Sequence, residues 1–175
     1  TEEFEGKGNS PYGCTKYMGE LCIKRFSHPW IILRYAHLYG REKRMHGLIG
    51  GYIDRIKFGM APVLYGGAQS NDFCYIDDIA RANYLALTAP WDKWNQAYNI
   101  GTGEELSAEE AGEKVIKIYN ELNPENAFTG KVEKREGRTV DPSRFVFDIS
   151  KAKRMLGFEA EFPFEKGLRD MFQDE

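Results

Sequence analysis

Cysteine is scarce in this sequence, and long apolar runs are missing from it. The 175 residues include three cysteines, an odd number without metal-site spacing, so neither a disulfide framework nor a zinc site is predicted. Reduced thiols are typical of cytoplasmic proteins, and we expect that location. No stretch approaches the ~18 apolar residues of a membrane span, and the amino end is too polar for a signal peptide. We therefore expect no membrane partner.

The sequence also has no large excess of charge of either sign. Its formal net charge is −3, from 24 basic and 27 acidic residues that are mixed along the chain. Because nucleic-acid binding depends on a concentrated basic surface, we expect no nucleic-acid partner. With 42% hydrophobic residues at this length, the chain can bury one sizeable core and is expected to be globular.

A glycine-rich loop for dinucleotide phosphates is missing as well. Residues 47–51 contain clustered glycines without a preceding strand, which is a poor dinucleotide fingerprint. Residues 97–103 end in a GxG turn after a predicted strand, but Leu106 stands where the third glycine is needed. Ser107 and Glu110 have instead the spacing of a capping box, which predicts the start of a helix.

The most informative stretch has the sequence SPYGCTK, from Ser10 to Lys16. Ser10 is a favourable N-cap, and the proline after it suits the first helical position, so a helix is predicted to begin here. The helix should run toward Phe26 and stop before Pro29.

Tyr12 and Lys16 lie four residues apart and therefore on one face of this helix. A general acid or base working near neutral pH needs the phenolate to be favoured, and a lysine one turn away favours it. The same spacing also occurs in ordinary amphipathic pairs. Both interpretations stay open on the spacing alone.

The rest of the chain alternates between predicted strands and helices. Residues 30–39 are uniformly apolar and end at Gly40, which is typical of a central strand in a parallel sheet. Residues 61–67 read as a short strand running into a glycine turn. Asp77 and Asp78 open an apolar-periodic helix, and helix capping explains them better than a catalytic carboxylate pair. The pattern predicts an α/β fold.

Several stretches resemble one family, in the family's own order. YGCTK resembles the active-site helix of the extended short-chain dehydrogenase/reductases, the NAD-dependent epimerase/dehydratase family that includes UDP-glucose 4-epimerase. Residues 33–40 resemble its LRxxNxYG segment, and residues 69–82 resemble its QxRDFxYVDDIARA segment. The resemblance runs from Pro11 to Leu168 and covers about the later half of a family member.

This resemblance implies the carboxyl-terminal part of a Rossmann-type parallel sheet together with a small α/β substrate-binding lobe. Residues 1–46 would end the dinucleotide-binding domain. Residues 47–175 would form mainly the lobe, with residues 77–122 returning to the sheet. The family's glycine-rich turn and its catalytic serine or threonine lie upstream of the tyrosine and are not in this sequence. We therefore expect a carboxyl-terminal portion that is inactive alone.

The resemblance also implies roles for individual residues. Tyr12 and Lys16 would be catalytic and would contact the cofactor, NAD or NADP, whose main binding loop is not in this chain. Tyr35 would lie beside the nicotinamide. No metal is implied. The positions implied to bind substrate are His37, Leu48, Val63, Tyr65, Asn71, Arg135 and Arg138.

Three of these positions depart from the family pattern. His37 replaces the usual asparagine, and a hydrogen-bonded core histidine is an equally good interpretation of it. Asn71 replaces an arginine that pairs with the nucleotide diphosphate, and an amide cannot make that bidentate contact. Arg138 replaces a common aspartate. A solvated strand-end arginine remains the alternative for Arg135.

The implied function is NAD(P)-dependent epimerisation or dehydration of a nucleotide sugar, a small-molecule substrate. Three alternatives remain open at this point. One is a non-catalytic relative that binds a ligand or partner, and another is a reductase of a non-nucleotide substrate. The third is a structural fragment of the fold that has no function in isolation. A homodimer of the full-length protein is also left open.

Overall fold

The computed structural model describes residues 1–3, 10–41, 47–66, 69–136 and 143–173. The helices are α1 (Pro11–Phe26), α2 (Leu48–Lys57), α3 (Ile76–Leu87), α4 (Ala108–Leu122), α5 (Ser150–Leu156) and α6 (Phe164–Gln173). The strands are β1 (Ile31–Tyr35), β2 (His37–Tyr39), β3 (Val63–Tyr65), β4 (Ser70–Asn71), β5 (Phe73–Tyr75), β6 (Gln96–Ile100), β7 (Leu106–Ser107), β8 (Glu133–Arg135) and β9 (Arg144–Phe145). The predicted α/β class is confirmed.

Strand pairing is mostly parallel. β1 pairs with β6, β2 with β5, and β3 with β8, all in the parallel sense. β4 lies between β7, which is antiparallel to it, and β9, which is parallel to it. These short parallel ladders, joined through helices, are those of a βαβ architecture.

The single strand predicted over residues 30–39 is divided at Ala36. The Ala36 N–H donates to the Ile100 carbonyl at 2.8 Å, whereas the next N–H, of His37, donates to the Asp72 carbonyl at 2.9 Å. The segment therefore changes its neighbour from β6 to β5 at this point. The predicted strand is divided at Ala36 because its first part pairs with β6 and its second part pairs with β5.

Helices α1 and α3 lie on opposite faces of β1. Successive side chains of a strand point to opposite faces. Arg34 bonds to Glu20 of α1, whereas Tyr35 bonds to Asn83 of α3. β1 is thus sandwiched between the two helices, and the carboxyl end of the strand lies at Tyr35.

The apolar interior consists of two clusters. One joins α2, α4 and α6 to the strand residues Tyr39, Phe73 and Tyr75. The other joins α3, α5 and β6 around Cys74 and Phe158. Residues in and next to β2 and β5 contribute to both clusters, so these strands separate the two parts of the interior.

Local sequence signals place several helix ends correctly. The Ser10 hydroxyl accepts a hydrogen bond from the Gly13 N–H at 3.1 Å, as expected of the N-cap of α1. The capping box of Ser107 and Glu110 is present at the start of α4. Gly59 follows α2 with φ +68°, a left-handed conformation that glycine adopts without strain.

Candidate active site

Tyr12 and Lys16 occupy one exposed face in the first turns of α1. The Lys16 Nζ lies 5.1 Å from the centre of the Tyr12 ring. Tyr12 is 72% exposed, so its hydroxyl is open to an incoming ligand. The arrangement places an ammonium group beside a phenol, as the four-residue spacing predicts.

An ion pair ties α1 to the sheet. Arg34 of β1 donates from Nε and Nη2 to the two carboxylate oxygens of Glu20, each at 2.7 Å. Its Nη1 also donates to the Glu2 carbonyl at 3.1 Å. None of the residues of α1 is buried, so this bidentate contact contributes strongly to the orientation of the helix that carries Tyr12.

The attachment of α1 is expected to weaken in acid. The hydrogen bond from Arg34 holds the pKa of the Glu20 carboxyl below its usual value of 4.5. A carboxyl with a depressed folded pKa adds stability above its unfolded pKa and loses it as the pH falls. Amide hydrogen exchange in α1 should therefore accelerate as the pH drops below 4.5, after correction for the intrinsic exchange rate.

Glu20→Gln is the matched control for this effect. The variant should show the faster α1 exchange already at neutral pH and little further change in acid. An α1 exchange profile that is the same in both proteins at every pH would contradict the role of the ion pair.

Tyr35 stands at the carboxyl end of β1, the end of a parallel strand where ligands collect. Its hydroxyl donates to Asn83 Oδ1 at 2.9 Å. The ring is 36% exposed, so it is open to a ligand on one side. Its place beside a cofactor, which the resemblance implies, stays a prediction.

His37 and Asn71 share a neighbour, Phe145 of β9. The His37 ring meets the Phe145 ring edge to face, with centroids 5.0 Å apart. Phe145 is the register partner of Asn71, and His37 is the register partner of Phe73. His37 is exposed, so it is not the core histidine that the sequence left open. Asn71 is 9% exposed and is therefore nearly buried.

Tyr65 and Arg135 form a second group, in the other ladder of the lobe. They are register partners at the ends of β3 and β8. Both side chains are exposed, and Arg135 makes a 3.3 Å ion pair with Glu133 on its own strand. The structure thus places a tyrosine and an arginine, both exposed, at paired backbone positions of the two strands.

The remaining predicted substrate residues differ in their surroundings. Val63 is 8% exposed and belongs to the interior. Leu48 is half-buried and packs against the core cluster of the lobe. Arg138 lies outside the described residues.

Sequence reasoning missed the structural carboxylate that supports this region, Asp72. It is fully buried, and its Oδ1 accepts from the Thr102 N–H at 2.8 Å and from the Thr102 hydroxyl at 2.6 Å. Its Oδ2 accepts from the Gly103 N–H at 3.0 Å. Asp72 therefore holds the turn formed by residues 101–103, called the GTG turn below, against β4 and β5.

Asp78 has a comparable role, which corrects the capping interpretation. It lies in the first turn of α3, but the N-cap position is Tyr75, without a side-chain cap. The buried Asp78 carboxylate instead accepts from the N–H groups of Glu161 and Phe162, at 2.9 and 3.0 Å. It anchors the segment that leads into α6. An acidic residue beside a strand end was the only sequence signal for either aspartate.

Three further observations bound the site. No group of metal-ligating side chains occurs within the described ranges. None of the helices in the described part of the chain is long and apolar enough to cross a membrane. An open cavity of about 590 Å³ lies between the GTG turn, the start of α5 and residues 159–163, and none of the predicted site residues lines it.

Comparison with known families gives a direct match. Residues 1–101 match the model of the NAD dependent epimerase/dehydratase family. The chain therefore belongs to this family, as the sequence motifs implied.

Individual relatives agree with this assignment. Over 168 residues the chain is 34% identical to a putative UDP-glucose 4-epimerase of Methanocaldococcus jannaschii, covering 91% of this chain and 51% of the relative. The structure of UDP-glucose 4-epimerase with UDP-glucose from Thermotoga maritima superposes with a TM-score of 0.80 at 28% identity, over 93% of this chain and 52% of that one.

A further structural neighbour carries both ligands. UDP-glucuronic acid 4-epimerase from Bacillus cereus, in complex with UDP-glucuronic acid and NAD, superposes with a TM-score of 0.77 at 28% identity. The match covers 93% of this chain and 51% of that one. The chain thus spans about half the length of the relatives it matches.

Proposed function

We propose that this chain carries the Tyr/Lys helix and the substrate lobe of an NAD-dependent epimerase or dehydratase that acts on a nucleotide sugar. The observation that carries the proposal is the exposed pair of Tyr12 and Lys16, with the ammonium 5.1 Å from the ring centre. Membership of the family supports the cofactor and the class of substrate.

The residues present fit a nicotinamide cofactor at the carboxyl end of β1. Tyr12, Lys16 and Tyr35 are all exposed and offer hydrogen-bonding groups for it. When bound, the nicotinamide supplies the hydride acceptor. The phenolate of Tyr12 takes the proton of the sugar hydroxyl that is being oxidised, and the Lys16 ammonium stabilises that phenolate.

We further propose that a dinucleotide-binding half completes the sheet beside β1. Ala36 and Trp30 form backbone hydrogen bonds on the side of β1 that faces β6. The alternate residues Ile31, Leu33 and Tyr35 therefore direct their backbone N–H and C=O groups toward the opposite edge of the strand. No strand among the described residues pairs with that edge.

Exposed apolar side chains occur on both helices that cover β1. Met18 and Phe26 are exposed on α1, and Tyr84 and Leu87 are exposed on α3. Such surfaces mark contacts with another folded unit. Residues 1–46 then belong to the dinucleotide-binding domain and residues 47–175 mainly to the lobe, with residues 77–122 returning to the sheet. We call the assembly with this half the complete enzyme.

The 175-residue chain alone is expected neither to turn over a nucleotide sugar nor to bind NAD tightly. The helix N-terminus that holds the pyrophosphate in such folds belongs to the other half. Calorimetry should give no saturable NAD binding at micromolar concentration, whereas the complete enzyme should bind. Micromolar affinity in the isolated chain would contradict the proposed division of the site.

Arg135 is proposed to bind the diphosphate of the substrate, with Arg138 as a second cation. Asn71 cannot supply charge, while Arg135 presents an exposed guanidinium on the strand position paired with Tyr65. Charge-assisted hydrogen bonds are worth roughly 1.5–3 kcal/mol. Arg135→Ala in the complete enzyme should therefore weaken nucleotide-sugar binding by about tenfold or more, measured as Kd.

Lys134→Ala is the matched control, because it removes the same charge from the next position of β8. Its ammonium pairs with Glu109 at 2.8 Å, on the other side of the strand. This variant should keep the wild-type Kd. An equal loss of nucleotide-sugar affinity in the two variants would contradict a direct contact, because Arg135 would then contribute only to the overall positive charge of the surface.

A second candidate is reduction of a substrate without a diphosphate. The nearly buried amide of Asn71 and the exposed His37, which share Phe145 as a neighbour, favour this alternative because both groups suit a neutral hydroxyl or amide. Competition by nucleoside diphosphates separates the two candidates, since only a nucleotide-sugar enzyme should be inhibited by them.

A further inference from the structure

One hydrogen-bonded chain links the end of β1 to the middle of α3. The Tyr35 hydroxyl lies 2.9 Å from Asn83 Oδ1. Asn83 Nδ2 donates to the Ile79 carbonyl, one turn earlier, at 2.8 Å. Asparagine is not a favourable residue in a helix interior, so this amide suggests a role beyond α3 itself.

This series of hydrogen bonds has only one self-consistent direction. A backbone carbonyl can only accept, so the contact with Ile79 must come from the amide NH₂ of Asn83. The Asn83 oxygen then faces Tyr35 and can only accept from it. The Tyr35 hydroxyl proton is therefore committed to Asn83, and the lone pairs of the phenol remain for another partner.

This polarity determines which ligand group Tyr35 can bind. A phenol whose proton is committed receives a hydrogen bond and does not give one. Because Tyr35 stands at the carboxyl end of β1, its partner would be an N–H or O–H donor of a ligand bound there. The carboxamide of a nicotinamide carries such an N–H donor.

We propose that Asn83 is a positioning residue, which fixes Tyr35 as a hydrogen-bond acceptor for the carboxamide N–H of the cofactor. The inference rests on the proposed function, because it requires a nicotinamide at this end of β1. Without Asn83, the hydroxyl would rotate and could donate as readily as accept. The preference of the site for an amide donor would then be lost.

The test compares NAD with acetylpyridine adenine dinucleotide, in which a methyl group replaces the carboxamide NH₂. The complete enzyme should bind NAD about tenfold more tightly than this analogue, as expected of the loss of one hydrogen bond. Asn83→Leu and Tyr35→Phe should each reduce the ratio of the two Kd values to about twofold. The double variant should match Tyr35→Phe, because both changes remove the same interaction.

Asn83→Asp provides the rescue. Its carboxylate can only accept, so Tyr35 still donates to it and the preference for NAD should be kept. A purely structural Asn83 predicts the reverse: the ratio stays at the wild-type value in Asn83→Leu, or falls equally in Asn83→Asp. Either of those results overturns the proposal.

Two readouts separate this inference from the proposed function. In the 175-residue chain, Tyr35→Phe should shift the side-chain amide resonances of Asn83, and no shift would show that the bond does not exist. An enzyme that discriminates between the two dinucleotides but converts no sugar would sustain this inference and refute the proposed catalysis. An enzyme that turns over a nucleotide sugar but does not discriminate between the two dinucleotides would support the proposed catalysis and refute this inference.

Discussion

Turnover of a nucleotide sugar by the complete enzyme should fall by at least about 100-fold when Tyr12 is replaced by phenylalanine. The substitution removes only the hydroxyl, and Tyr12 is 72% exposed, so the fold should not change. The loss follows because no proton acceptor then remains beside the Lys16 ammonium. Steady-state kcat measured at saturating substrate reports this loss, while Kd for NAD should change little.

Tyr17→Phe is the control for this prediction. Tyr17 lies on the same helix but is half-buried, toward the sheet. Its hydroxyl has no role in the proposed chemistry, so the variant should keep kcat within about twofold of wild type. If Tyr12→Phe were as active as this control, Tyr12 would have no part in proton transfer.

Replacing Asp72 by alanine should give the largest loss of stability of the substitutions considered. It would leave two N–H groups and the Thr102 hydroxyl without their acceptor in the interior. Hydrogen bonds to a charged group are worth roughly 1.5–3 kcal/mol each, and the losses are not fully additive. We expect the free energy of unfolding to fall by about 3–5 kcal/mol, measured by urea denaturation.

Two companion variants sharpen this test. Glu104→Ala changes an exposed carboxylate in the same turn and should alter stability by less than about 0.5 kcal/mol. Gly101→Ala should be strongly destabilising, because its Cβ would overlap the Asp72 carboxylate and press on Ala36. A stable Asp72→Ala protein would show that the GTG turn holds its shape without the carboxylate.

Sequence reasoning succeeded where the structural cause is local. Ser10 and the capping box at Ser107 act within three residues, so their spacing alone predicts the helix starts. The pair of Tyr12 and Lys16 is equally local, because one helical turn brings the side chains together. These signals need no knowledge of the rest of the chain.

The features it missed depend on distant partners. Asp72 is 30 residues from the Thr102 that it binds, and Asp78 is 83 residues from Glu161. The predicted strand is likewise divided at Ala36 because two distant segments accept its hydrogen bonds. Ile100 accepts from the Ala36 N–H, and Asp72 accepts from the His37 N–H. Such pairings are set by the tertiary fold and leave little trace in local sequence.

The candidate site shows the same contrast. Sequence motifs placed Tyr65 and Arg135 separately on the substrate side, but only the register of β3 and β8 makes them neighbours. Asn83 was not predicted to belong to the site, because its partner, the Tyr35 hydroxyl, lies 48 residues earlier in the chain. Chemical roles that arise from pairs across the fold need the structure.

The most direct test of the account is conversion of nucleotide sugars by the complete enzyme in the presence of NAD. UDP-, GDP-, CDP- and dTDP-glucose would be offered separately, with product followed by chromatography and reduced nicotinamide by absorbance. The account predicts NAD-dependent conversion of at least one of them, lost in Tyr12→Phe. An enzyme that binds NAD, converts none of the four, and is not inhibited by millimolar UDP, GDP, CDP or dTDP would contradict it.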